Sequence, residues 1–191
     1  LLAVIAIVLL ALPWLAPMNP YDLAQLDITD ARLPPGGHGA LSHRLYLLGT
    51  DEQGRDMLSA ILYGLRISLI VGVLGSGSAF LLGGVLGMYA AWSGRRIDSA
   101  IMRLTDLQLS FPSILVALML LALLGPGLEK IVVALVAAQW AYFARAMRAI
   151  AMVESRKEYI EAASLLGLGP FHILLRHLLP NCLPGLLVLF P

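Results

Sequence analysis

The side chains of this chain best suited to chemistry are four histidines, one cysteine and a few charged or amide residues within apolar stretches. His172 and His177 are five apart, which puts them about 140° apart around an α-helix. His38 and His43 lie in a loop segment. The histidines therefore suggest no metal site, and the single Cys182 excludes both an internal disulfide and a cysteine-cluster site. The sequence has no HExxH, nucleophile elbow or carboxylate pair. Gly75-Ser76-Gly77 has the composition of a phosphate loop, but no strand precedes it and apolar residues surround it. Catalysis by this chain is not expected.

Asp106, Gln108, Gln139 and Arg145 sit in or beside long apolar runs. In lipid such residues are functional candidates by default. The alternative is interfacial placement for Asp106 and Arg145, and a hydrogen bond between helices for Gln139. A proton-coupled carrier needs a regular relay of acids and bases, and none is visible.

These residues must be positioned by membrane helices. The chain has 191 residues, 59% hydrophobic and 13% charged, with a net charge of +1 and a mean hydropathy of +0.85. Soluble domains are about 45–50% apolar with glycine counted and about 25% charged. Disorder needs the opposite composition, and a net charge this small provides no basic face for nucleic acid.

A crossing helix needs about 20 mostly apolar residues. Four uncharged runs compete: Leu1 to Tyr21, Ile67 to Gly94, Leu107 to Leu128, and Ile131 to Ala144. The fourth can extend through Arg145 if that side chain snorkels. A fifth run starts near Cys182. The expected organisation is a first transmembrane helix over 1–21, an extracytoplasmic loop over 22–64 and a transmembrane core over 65–191. We expect an all-α polytopic bundle, truncated at both ends because the sequence starts and stops inside apolar runs.

Lysine and arginine placement orients the spans. Segments 18–66 and 125–130 carry a net −2, whereas 92–106 and 145–181 carry +3. The second pair therefore faces the cytoplasm. Within the second run, Gly75, Ala79, Gly83, Gly87 and Ala91 recur every four residues. That ridge of small side chains is suited to close helix packing in lipid.

The cytoplasmic stretch 154–181 is the most informative. Glu154, Lys157, Glu158 and Glu161 fall at helical spacing, Gly167, Gly169 and Pro170 interrupt, and a second helical pattern follows to Pro180. Tyr159, Ile160, Leu165, Leu166 and Phe171 are costly to leave together in water, so this loop is expected to dock on something.

Glu161-Ala162-Ala163, then Gly167, then Leu179-Pro180 resemble the EAA signature of permease subunits in bacterial ABC importers. His177 replaces the usual isoleucine. Leu48-Gly49-Thr50-Asp51-Glu52-Gln53-Gly54-Arg55-Asp56 resembles the segment before the second span in dipeptide, oligopeptide and nickel importers. Gly64 to Leu69, and Asp106 to Pro112, continue the likeness.

The resemblance implies a type I importer permease in the bacterial inner membrane, surrounded by lipid. It implies a second permease, two cytoplasmic ATP-binding subunits and an extracytoplasmic solute-binding protein as partners. ATP and magnesium would belong to the ATPase partner, with no cofactor on this chain. The loop around 151–181 would form a coupling helix, with Glu161, Ala162, Ala163, Gly167, Leu179 and Pro180 at the ATPase contact. Asp51, Arg55 and Asp56 become candidates for gating or binding-protein contact, or they pair with each other to fix the outer loop. The competing functions are a secondary carrier driven by ions or protons, and a membrane-embedded enzyme. The first lacks a visible ion site and the second lacks a nucleophile or metal constellation.

Overall fold

A computed structural model describes residues 16–22, 26–40 and 43–190. Among the described residues, a 3-10 turn (Ile28–Asp30) and two antiparallel strands, β1 (Gly37–His38) and β2 (Leu45–Tyr46), precede a succession of helices. These are α1 (Met57–Trp92), α2 (Arg95–Leu109), α3 (Ser113–Leu124), α4 (Leu128–Glu154), α5 (Glu158–Leu165), α6 (Pro170–Ile173) and α7 (Leu179–Leu187). A π-helical turn, Leu174–Leu178, joins the last two. The fold is helical and membrane-type, as expected. It forms two compact units, 1–70 and 71–191, divided within α1.

The first unit is organised by buried carboxylates. Asp30 is fully buried. Its Oδ1 accepts the Ala40 N–H at 2.7 Å and its Oδ2 the Tyr46 hydroxyl at 3.1 Å, while its carbonyl accepts the Thr50 hydroxyl. A buried carboxylate is tolerated only when hydrogen-bonded in this way. Asp56, also buried, starts α1. Its carbonyl accepts the Ala60 N–H at 2.9 Å, and its Oδ2 accepts the Ser59 N–H at 2.8 Å and the Ser59 hydroxyl at 2.6 Å. Such a cap contributes about 1 kcal/mol. It also sets the helix start ten residues before Ile67, so the last residues of the expected loop 22–64 are helical.

In the second unit α1 packs on α4 through its small residues. A Cβ built on Gly83 would lie 2.3 Å from the Trp140 carbonyl oxygen, and one on Gly87 2.2 Å from that of Ala144. Gly75 approaches the Leu135 side chain, Ala79 is fully buried, and Ala91 packs at the edge of the same core. Phe143, Met147, Ala151, Ile160, Leu178 and Leu186 complete its interior.

Three of the expected runs take a different form. The run from Leu107 to Leu128 is not one helix: α2 and α3 meet at an 85° bend. Pro112 disfavours helical backbone at the residue before it, and the break falls at Ser110–Pro112. α3 has only 12 residues, about 18 Å, short of the ~30 Å core. Conversely, the short fourth run lies in a helix of 27 residues that continues beyond Arg145 and Arg148. The second helical pattern does not end at Pro180 but continues to Leu187. Pro180 and Pro184 supply no N–H to the preceding turns. The chain widens into the π turn just before them, and the Asn181 amide donates to the His177 carbonyl at 2.6 Å. Among the described residues, α1 and α4 are long and apolar enough to cross a membrane, with α2–α3 as a bent third span or re-entrant pair. Most of the first expected span lies outside the described residues, and residues 16–21 form bends and turns rather than helix.

Candidate functional site

The short helix α5 and the turn after it stand on the end of α4. Glu154 receives the Tyr159 hydroxyl at 2.7 Å and the Lys157 ammonium at 2.8 Å. This three-residue clamp bends the chain from α4 into α5. Burial, then the Glu154 carboxylate, pushes the Tyr159 phenol up to about 12 from an ordinary 10.0. A raised phenol favours the neutral native form. Its contribution is full below pH 10 and is lost as pH rises towards 12. The expected result is an alkaline fall in thermal stability that a Tyr159→Phe variant does not show. That variant also melts lower at neutral pH, by about 1.5–3 kcal/mol for a lost bond to a charged group.

α5 ends in a left-handed cap. The Gly167 N–H donates to the Ser164 carbonyl at 3.0 Å and the Leu168 N–H to that of Ala163 at 3.3 Å. Gly167 has φ +76°, the C′ glycine of a Schellman motif. Gly169 then leads into Pro170 at the start of α6, where a missing N–H costs nothing.

The signature residues divide by face. Glu161 and Ala162 are exposed, whereas Ala163 is buried with Ile160 against Ile173 and Leu178. Ala163 therefore faces its own chain's core rather than outward. Leu179 is half-buried against the same core and Pro180 is exposed. Beside Glu161 and Ala162 the chain exposes Leu165 (83%), Leu166 (80%) and Phe171 (70%).

The polar residues of the apolar runs pair across helices. Arg145 on α4 is ion-paired with Asp106 on α2. The hydrogen bond between helices comes from Gln108, whose amide donates to the Ala137 carbonyl at 3.0 Å. Sequence reasoning missed the second pair, Arg148 with Asp98, in which Nη2 lies 2.6 Å from Oδ2 and Nε contacts Oδ1. The separation of 50 positions between those partners leaves no local signal in the sequence.

The expected separation of His172 and His177 is also not found. Their ring centroids are 5.8 Å apart, because the π turn brings residues five apart onto one side. Among the described residues no cluster of three or more potential metal ligands occurs.

In the first unit, Asp51 Oδ1 accepts the Gln53 and Arg55 N–H groups at 2.8 and 2.9 Å. Arg55 Nε lies 3.7 Å from Asp51 Oδ2. Asp56 is the buried cap of α1 described above.

The model of binding-protein-dependent transport system inner membrane components matches residues 83–191. A putative peptide transport system permease protein of Brucella suis is 38% identical over 191 residues, covering 98% of this chain and 60% of that protein. The di/tripeptide transport system permease protein DppC of Pseudomonas aeruginosa is 37% identical over 190 residues, covering 98% of this chain and 61% of that protein. The dipeptide transport system permease protein DppC of Bacillus subtilis is 36% identical over 171 residues, covering 90% and 51%. The chain thus spans about 60% of the length of the first of these relatives. With a matched region that contains α4, the α5 turn and the helices after it, the chain belongs to the family of binding-protein-dependent transport system inner membrane components.

Proposed function

We propose that this chain is a permease subunit of an ATP-driven importer for di- or oligopeptides, or for a related small solute such as nickel, with the α5 turn as its coupling surface. The observation that carries this reading is the group Leu165, Leu166 and Phe171, left exposed beside Glu161 and Ala162. Covering each large apolar side chain is worth about 1.5–3 kcal/mol, enough to seat a partner once association costs are met. The partners are two cytoplasmic ATP-binding subunits, which hold ATP and magnesium, a second permease and an extracytoplasmic solute-binding protein.

In this reading Glu161 pairs with a basic group on the ATPase, and Ala162 permits close approach. Gly167 sets the turn, while Ala163 and Leu179 anchor the surface from within and Pro180 flanks it. Closure of the ATPase pair would then move this surface and alternate access to a path between the permeases. Asp51, Arg55 and Asp56 keep the outer unit in shape for binding-protein contact or gating. The proposed organisation has a first span over 1–21, an outer segment over 22–64 and a core over 65–191. Peptide transport in the names of the relatives supports the solute class.

Gly167 provides the test. A Cβ there meets nothing within 4 Å, so a substitution costs backbone energy alone, about 1–2 kcal/mol for a residue held left-handed. Gly167→Val is expected to lose solute uptake and co-purifying ATPase while the protein stays in the membrane. Gly167→Asn, which tolerates that backbone, is expected to retain both. An unaltered ATPase complex with Gly167→Val would overturn the docking assignment.

A further inference from the structure

Arg95, Arg96 and Arg103 share one side of α2, and with Ser99 and Ala100 they line an open concavity of about 570 Å³. All three arginines are exposed. The carboxylates of α2 are engaged elsewhere, Asp98 by Arg148 and Asp106 by Arg145. Among the described residues none of the three arginines has an ion-pairing carboxylate. Helix stability does not account for Arg95 and Arg96 either, since cations in a first turn oppose the helix dipole and Gly94 supplies no side-chain cap.

The adjoining side of the same helix is apolar and uncovered. Ile97 (37%), Leu104 (56%) and Leu107 (64%) are exposed, and at about 100° per residue they fall within roughly 80° of arc beside the arginines. At the far end of α2 comes α3, which has no buried residue and exposes Ile114, Met119 and Leu123. A cationic arc beside an apolar arc, next to an apolar helix with no buried residue, has the pattern of an interfacial helix.

We propose that α2 binds anionic phospholipid, with Arg95, Arg96 and Arg103 on the headgroup phosphates and Ile97, Leu104 and Leu107 at the acyl boundary. Charge complementarity selects this occupant: three unneutralised guanidiniums match phosphates, and the apolar arc matches the chains they carry. A purely protein partner would need to supply acids and an apolar groove at the membrane surface together.

The experiment uses the full-length protein in its native complex. It is reconstituted into nanodiscs of phosphatidylcholine mixed equally with phosphatidylglycerol, and the lipid retained after mild detergent exchange is quantified by mass spectrometry. The wild type is expected to enrich phosphatidylglycerol, less so as salt rises. Each basic residue near an anionic surface strengthens binding about fivefold, so Arg96→Gln lowers the enrichment about fivefold. The triple Arg→Gln variant abolishes it, while the triple Arg→Lys variant keeps most of it. Equal retention of the two lipids by the wild type, or a preference insensitive to salt, would overturn the proposal even if the triple variant failed to fold. So would a triple Arg→Gln variant that keeps the lipid preference but releases the ATPase, which would make the arc a protein contact.

Discussion

Gly87→Ala destabilises the protein by about 2–3 kcal/mol, whereas Gly72→Ala, on the same helix, stabilises it by up to about 1 kcal/mol. Alanine is the better helix former by about that second figure, and at Gly72 nothing lies within 4 Å of the added carbon to oppose the gain. At Gly87 the same methyl group would sit 2.2 Å from the Ala144 carbonyl oxygen and 2.9 Å from Met147 Cβ. The first obstacle is backbone, so no rotamer change relieves it and α1 must move away from α4. Overpacking of a tight core costs about 1–3 kcal/mol, and displacement of a helix from its neighbour lies at the upper end. The measurement is the apparent unfolding midpoint of the full-length protein in one detergent. Equal shifts for the two variants would mean that α1 and α4 do not approach as described.

Asp98→Ala is the second large effect, expected near 2–3 kcal/mol. The Arg148 guanidinium meets Asp98 through two nitrogens, and the two side chains are only 27% and 23% exposed. Removing the carboxylate leaves a mostly buried cation unpaired. For a fully buried pair that costs about 3–5 kcal/mol, and partial access to water reduces it. Arg148→Lys is not a conservative replacement here, because an ammonium cannot reproduce the two-pronged geometry. A double-mutant cycle over Asp98 and Arg148 should give a coupling of about 1.5 kcal/mol or more. The more exposed Arg145–Asp106 pair (50% and 66%) should couple by under about 1 kcal/mol. If the two cycles gave equal couplings, Asp98 would not hold α2 to α4.

Features that depend on neighbours a few residues apart were legible in the sequence. The four-residue recurrence from Gly75 to Ala91 contains the side on which α1 meets α4. The glycines after Leu166 mark the turn ending α5. Hydropathy erred where backbone geometry or a distant partner decides. It joined Leu107 to Leu128 across Pro112, because a proline barely alters an apolar average yet bends the chain by 85°. It shortened α4 because Arg145 and Arg148 look expensive until Asp106 and Asp98, 39 and 50 residues away, neutralise them. The division of the Glu161-Ala162-Ala163 triplet was not legible either. Which alanine faces inward depends on the direction in which the Glu154–Tyr159 clamp sends α5, and that direction is a tertiary property.

The π turn at Leu174–Leu178 sets the rotational phase of everything after it. The buried residues along this stretch are Ile173, Leu178, Cys182 and Leu186, with spacings of five, four and four. The five is the widened turn. Deleting one residue there would return the helix to an ordinary winding with spacings of four throughout and keep Cys182 and Leu186 facing the core. Inserting one residue would instead rotate α7 by about 100°. Cys182 and Leu186 would swing out of the core, and polar Asn181 would turn towards it. Single-residue insertions between Ile173 and Leu178 should therefore do more damage than a single-residue deletion or most substitutions at the same positions. The indexing of α7 depends on how many residues the turn contains more than on which residues they are.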